Sequence, residues 1–438
     1  MKSTVARIVG RAMAGIWVAI LAFHSDLAIA QDEFEQPPIN YSASTPDNRV
    51  SRLQAAIDRE GVGLRYDAKF GYLPDLLKRL EIPVESQMLV FSKTSLQRER
   101  IAPRTPRALY FNDDVYVGYC HNGKVLEISA ADPQLGAVFY SLEQDRDEAP
   151  ALTRETQSCL QCHVKSQTDG VPGHIVRSLF VDSGGQPILS EGSHSVDDTT
   201  PIENRWGGWY VTGTHGQQAH MGNLIIPDRD AAKPWSNDDG RNVTDLGRRI
   251  RPGNYPTPHS DIVALLVFEH QTHIQNLMTK ASYATRQALH YEAEFNKALG
   301  EPATNQLEST SRRIEGAGEK LLRGLLLVEE APIQTPIAGT SGFAESFPRR
   351  GPRDTRGRSL RDLDLKSRLF LHPCSYQIYS SQFDALPPRM KQYISRRLHL
   401  ILDGQGGKPY ESLTPDDRKA ISEILAETKP DLWNLESK

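Results

Sequence analysis

The chain has 438 residues, with 51 Lys and Arg against 55 Asp and Glu, a net charge of -4 and only four cysteines. Mixed signs with no long block of one charge argue against a dedicated nucleic-acid binder, and four cysteines fall far below the density of a disulfide-built scaffold. Beyond the N-terminal segment, no stretch reaches the roughly 20 consecutive apolar residues of a membrane-spanning helix.

The N-terminus reads as a cleavable secretory signal over 1–30. It has a basic start (Lys2, Arg7, Arg11), an apolar run from Ala12 to Phe23 and a small-residue site at Ala28-Ile29-Ala30, which predicts a mature start near Gln31. Region 31–150 is expected to mix helix and strand. Thr45 as cap, Pro46 at the first helical position and Gly61 as stop predict a first helix, and Leu73 to Leu80 a second. Met88–Phe91, Asp114–Tyr119, Val125–Ile128 and Ala137–Leu142 read as strands, with Asn122-Gly123 as a hairpin turn.

Region 151–330 opens with Gly-, His- and polar-rich sequence, as expected of a chain wrapped round a cofactor. It ends in a long helix, with Ser260 as cap, Asp261 at the positive end, apolar residues from Ile262 to Ala281 at helical spacing and Gly300 as stop. A further helix is expected over Ser311 to Glu329. Between 331 and 360 the shift to Pro, Gly, Ser and Arg predicts a linker or loop, and 361–438 closes with helices over Pro388–Leu402 and Thr414–Glu427.

One motif carries specific chemistry. Ser158-Cys159-Leu160-Gln161-Cys162-His163 contains C-x-x-C-H, the attachment signature of haem c. Two thiols three positions apart can each add to one vinyl group of a haem edge, and the next imidazole then falls over the iron. A thioredoxin-like disulfide would want the motif inside a βαβ unit, and a zinc site would want further Cys or His at matching spacing; neither is present. One covalent haem c on Cys159 and Cys162, with His163 as axial ligand, is the expected cofactor.

The sixth ligand stays open among several residues. Met221 lies 58 positions past His163, and a soft thioether there would raise the potential. His220 and His215 compete with it, His174 and His194 lie nearer the motif, and an open position is the remaining possibility. In Arg205-Trp206-Gly207-Gly208-Trp209-Tyr210, Arg205 is a candidate partner for a propionate, Trp206 for packing on the macrocycle, and the glycines for close backbone approach; a tight turn with core aromatics explains the segment equally well. His270 and His273 share a helix face, with Glu269 one turn from His273. The pair invites a metal-site reading, but it is not H-E-x-x-H; a solvated or hydrogen-bonded pair is the expected use, with His270 facing the haem as the better alternative to a second metal. Cys120 and Cys374 are either a disulfide or two buried thiols.

Around Cys159 the chain resembles c-type cytochromes. More of it is similar to a group of exported bacterial cytochrome c-like proteins, through Thr105–Phe111, Gly136–Tyr140, the C-x-x-C-H segment, Arg205–Tyr210, His220–Asn223, Ser260–His270, Cys374–Tyr376 and Phe383–Leu386. The resemblance implies an α+β chain in which 151–330 is a mostly helical cytochrome c-like haem region, preceded by a β-containing region and followed by a helical part. It also implies a periplasmic or secreted protein that passes single electrons to a periplasmic redox partner protein. The chain departs from compact cytochromes c by placing more than 100 residues before the motif. That extra protein keeps two alternatives in view: a haem enzyme, peroxidase-like or oxidising a small molecule, with His215 or His220 as acid/base residue beside an open position, and a haem-based sensor or docking subunit.

Overall fold

The computed structural model describes residues 33–61, 63–227 and 235–435, so the expected leader at 1–30 lies outside the described residues. The chain divides into two units, 1–45 and 46–438. In the first, Glu33–Glu35 form a short helical turn, Phe34 meets Tyr41 edge-on at 5.7 Å, and the Glu35 carboxylate accepts the Ser42 N–H at 2.9 Å.

The second unit is α+β, built on an antiparallel sheet. Its strands are β1 (Met88–Val90), β2 (Arg107–Phe111), β3 (Val115–Tyr119), β4 (Val125–Asp132), β5 (Gly136–Glu143), β6 (Leu152–Glu155) and, from much later in the chain, β9 (Trp209–Tyr210). The order across the sheet is β6-β5-β4-β3-β2-β1-β9. A separate ribbon pairs β7 (Arg177–Ser178) with β8 (His194–Ser195). Asn122, at φ +55°, makes the turn between β3 and β4 as its Asn-Gly pair predicts.

Both faces of the sheet are covered. Register puts Arg107, Leu109, Phe111, Tyr116, Gly118, Glu127, Ser129, Phe139 and Glu155 on one face. The opposite face, with Tyr119 and Tyr140, meets the segment that holds α1 (Arg49–Glu60) and α2 (Leu73–Arg79). There Phe70 packs on Tyr119 at 6.4 Å, and Tyr140 Oη donates to Asn48 Oδ1 at 3.2 Å. Asn48, not Thr45, caps α1: its side chain accepts the Val50 and Ser51 N–H groups, and Ser51 closes a capping box.

The long helix α4 spans Ile262–Leu299, and its early turns are buried all round. Phe268 wedges against Phe111 and Tyr116, each at 5.6 Å, and against Trp209 at 6.3 Å. Asp261 is the cap, accepting Val263 N–H at 2.8 Å through Oδ1 and Thr340 N–H at 2.7 Å through Oδ2. Ser260, one residue earlier, ties α4 to β1 and β9 instead, accepting Leu89 N–H at 2.8 Å and donating to the Tyr210 carbonyl at 2.6 Å. Gly300, at φ +69°, ends the helix.

Helix α5 (Glu308–Leu325) returns along α4 and approaches it closely at Gly324, where a Cβ would sit 2.6 Å from Leu277 Cδ1. The closing helices α6 (Pro388–Leu400) and α7 (Pro415–Thr428) complete this side, with Glu319 of α5 receiving Arg397, Tyr393 and Tyr410. Segment 331–360, expected as a linker or loop, is a packed loop. It buries Phe343, Phe347 and Leu360, and it holds Arg361 over the Phe347 ring at 4.0 Å while the same guanidinium forks onto Asp113 at 2.9 and 3.0 Å. No helix among the described residues is long and apolar enough to cross a membrane.

Candidate functional site

The C-x-x-C-H segment forms one helical turn, α3 (Leu160–His163), opened by Cys159, whose carbonyl accepts the Cys162 and His163 N–H groups at 3.1 and 3.0 Å. It lies at the β4–β5–β6 end of the sheet, where Ser158 Oγ donates to Glu155 at 3.2 Å and the His163 ring packs on Phe139 at 4.6 Å. Cys162 is exposed and Cys159 half-buried, and both are free. Burial pushes the Cys159 thiol up to about 11, the reverse of what a redox-active thiolate needs.

His163 is held through its backbone and its ring by one residue. Nδ1 lies 2.9 Å from the Gly173 carbonyl, and Gly173 N–H returns to the His163 carbonyl at 3.0 Å. A carbonyl can only accept, so Nδ1 carries the proton and the lone pair sits on Nε2, which has no hydrogen bond among the described residues. Burial lowers the pKa of the ring and favours this neutral form. A backbone acceptor on Nδ1 with Nε2 left free is the arrangement of a metal-ligating histidine.

The charges that act on this imidazole are Arg107, Glu127 and Arg177. Arg107 pairs with Glu127 at 2.5 Å across β3, where only Gly118 leaves room, since a Cβ there would fall 2.3 Å from the guanidinium. His174 lies on the same side of the sheet. Its Nε2 is hydrogen-bonded to Ser129 Oγ at 3.0 Å, its ring meets that of Tyr116 in a tilted contact at 4.4 Å, and it shares Phe139 with His163. Burial lowers the pKa of His174 to about 3.

The other sequence candidates gather in a second cluster. Arg205, almost fully buried, pairs with Glu269 at 2.9 Å and donates to the carbonyls of Thr200 at 2.6 Å and Asp198 at 2.9 Å. Trp206, at φ +67°, presents its ring edge to His220 at 5.2 Å. The following glycine does permit a close approach, because a Cβ on Gly207 would lie 2.6 Å from the Leu179 carbonyl. The Met221 sulfur accepts Ser178 Oγ at 3.5 Å.

His215 and His220 meet Nε2 to Nε2 at 3.1 Å; His215 also accepts Asn242 N–H at 3.0 Å, so His220 is the donor of the pair. Burial and the neighbouring His215 lower the pKa of His220 to about 3. No hydrogen bond or ring contact among the described residues joins Met221, His215 or His220 to His163. His194 stands exposed on β8. Cys120 and Cys374 are buried free thiols, each pushed up to about 12 by burial.

Sequence reasoning missed the partner that joins His270 to His273. Asp198 lies between them, 3.2 Å from His270 Nδ1 and 2.5 Å from His273 Nδ1, and His270 Nε2 is 2.7 Å from Ser375 Oγ. Burial opposes charge on Asp198, but the two imidazoles hold its carboxyl well below the usual range. Burial likewise opposes charge on His273, and Asp198 overcomes it, raising the ring to about 9. Two cavities flank His273: one of about 220 Å³ reaches Thr168, His174 and Asp197, and one of about 290 Å³ reaches Asp198, Lys320 and Glu330. Both fall short of the roughly 300–1,000 Å³ of a small-molecule pocket, and neither is lined by Cys159, Cys162 or His163.

Comparison with protein-family models, with curated proteins and with solved structures finds no match to this chain.

Proposed function

We propose that this chain is an exported c-type cytochrome carrying one haem c, joined through thioethers to Cys159 and Cys162 with His163 as axial ligand, and that it passes single electrons to a periplasmic partner protein. One observation carries the reading. The imidazole that the motif assigns to iron is neutral, is fixed by the Gly173 carbonyl on Nδ1, and offers a free lone pair on Nε2. The bound haem would supply one-electron redox chemistry, and the protein's own levers on it are ligand identity, hydrogen bonding and burial.

Several features support a haem with one edge near solvent. Cys162 is exposed while Cys159 and His163 are half-buried, so the motif sits at the surface and not in a sealed core. Arg107 and Arg177 are the cations that act on His163 and are therefore the better propionate partners; Arg205 and Trp206 belong to the buried cluster with Glu269 and His220. To hold the sixth position Met221 would have to leave Ser178 Oγ, and His220 would have to leave His215; both lie in the Arg205–Trp206 cluster.

The test is the visible spectrum of the full chain, produced with cytochrome c maturation factors, in both oxidation states and repeated with Met221→Ala. Sharp α and β bands on reduction are expected, with a spectral change in the variant. A broad high-spin spectrum responsive to cyanide would replace the electron carrier with a haem enzyme, and a chain without covalent haem would refute both.

A further inference from the structure

We infer that Asn276 of α4 tunes the electron-donating strength of His163 through the Gly173–His174 peptide unit and so favours the oxidised state of the haem; the inference rests on the haem reading above. One peptide unit carries both bonds. Its carbonyl, on Gly173, lies 2.9 Å from His163 Nδ1 and accepts the proton there, while its N–H, on His174, donates to Asn276 Oδ1 at 2.9 Å. Donors therefore line up without a break from the imidazole, across the amide, to the Asn276 side chain. Asn276 is a positioning residue for His163, one peptide removed from it.

A second bond fixes which way the Asn276 amide faces: Nδ2 donates to the His174 carbonyl at 2.7 Å. Turned round, the side chain would set its oxygen against a carbonyl and its NH2 against an N–H, so Oδ1 is the acceptor for His174. Gly173 makes the approach possible, because a Cβ there would lie 2.4 Å from Asn276 Oδ1. The segment is also held from the sheet side. The Pro172 carbonyl accepts Ala137 N–H at 3.1 Å at the start of β5, and Ser129 of β4 bonds the His174 ring at 3.0 Å. Those bonds brace the loop without touching the peptide unit that holds His163; the bond to Asn276 is the one that ends on it.

The consequence follows from how hydrogen bonds polarise one another. An amide whose N–H is engaged becomes a stronger acceptor at its carbonyl, by about 10–30 % per bond. A stronger acceptor on Nδ1 raises the basicity of Nε2, the atom that the motif assigns to iron. A more strongly donating imidazole stabilises the higher charge of oxidised iron, so the one-electron potential falls. Asn276 brings no charge of its own, and its effect on the iron therefore runs through this bond and not through a long-range field.

The experiment compares the full chain with its Asn276→Leu and Asn276→Asp variants, each as the haem-bearing protein and as the haem-free Cys159→Ser/Cys162→Ser form. Redox titration gives the potential of the first set. The second set, isotope-labelled in histidine, gives the NMR position of the His163 Nδ1 proton, assigned by its loss in His163→Gln. Asn276→Leu should raise the potential by about 30 mV, a threefold change in the equilibrium constant at about 59 mV per tenfold, and move the Nδ1 proton upfield. Asn276→Asp keeps an acceptor for His174 N–H, so its potential should stay at or below wild type and its Nδ1 proton should not move upfield. Asn276→Leu equal to wild type in both readouts, or Asn276→Asp shifted as Asn276→Leu is, overturns the inference. Should Asn276→Leu fail to fold by circular dichroism, Asn276→Asp decides. A wild type without covalent haem refutes the haem reading, and the Nδ1 proton of the serine forms then decides whether Asn276 acts on His163.

Discussion

Removing the carboxylate of Glu269 leaves the buried Arg205 guanidinium without its ion-pair partner. Arg205 and Glu269 are 2 % and 0 % exposed in their side chains and 2.9 Å apart. Breaking a buried pair from one side leaves an uncompensated ion and typically costs about 3–5 kcal/mol. Arg205 keeps two carbonyl acceptors, Thr200 and Asp198, so Glu269→Leu is expected near the lower end, about 3 kcal/mol.

The double variant Arg205→Met/Glu269→Leu removes both charges and both desolvation penalties. Its main new cost is the Thr200 carbonyl left without Arg205, about 1–3 kcal/mol, since the Asp198 carbonyl still accepts Ala331 N–H. The coupling between the two sites is therefore about 2 kcal/mol or more. Urea unfolding followed by circular dichroism and tryptophan fluorescence measures all four proteins. A Glu269→Leu cost below about 1 kcal/mol, or a double variant that equals the sum of the singles, would mean that the two charges do not depend on each other.

Buried titratable groups pull the acid stability of the protein in opposite directions. His174 and His220 are each lowered to about 3 by burial, so the unfolded chain takes up protons near 6.5 that the fold refuses, and each costs about 2 kcal/mol between pH 7 and pH 5. Burial raises Glu269 to about 7 and Glu330 to about 8, so the fold takes up their protons before the unfolded chain does and each returns about 2 kcal/mol over the same interval; His273, raised against burial to about 9 by Asp198, returns about 1 kcal/mol. Urea midpoints at the two pH values isolate one histidine: His174→Gln should change by about 2 kcal/mol more favourably than wild type on going from pH 7 to pH 5, and an equal change in both proteins contradicts the assignment. Gly136→Ala should cost about 2–4 kcal/mol, because φ is +72° there and the new Cβ would lie 2.4 Å from Thr279 Cγ2. A melting temperature equal to wild type would show that the turn before β5 yields.

What the sequence made legible follows from how local each signal is. Gly300, the Asn122-Gly123 turn and the Thr414 cap of α7 need only their immediate neighbours, and each stands where local chemistry puts it. Local chemistry misassigns two caps, because Thr45 and Ser260 offer capping hydroxyls close to Asn48 and Asp261, the residues that cap. The strands β2, β6, β7, β8 and β9 carry no such local signal. The last four are short, and β2 begins with Arg107, whose charge is satisfied by Glu127 only across β3.

The same distance effect governs the site. The C-x-x-C-H motif is contiguous, so its chemistry is visible in one line of sequence. The Gly173 carbonyl that orients His163 lies ten residues on, and Asp198 lies 72 and 75 residues from the two histidines it joins. Carbonyls carry no sequence signature, and an aspartate in a polar stretch looks like any other until α4 is laid against it.

Whether Cys159 and Cys162 carry haem c is decided by the mass of the denatured full chain after expression with cytochrome c maturation factors. A mass increase equal to one haem that survives denaturation is expected, with Cys159 and Cys162 closed to alkylation while Cys120 and Cys374 become alkylated once unfolded. An unmodified mass with all four thiols alkylated would contradict the proposed cytochrome.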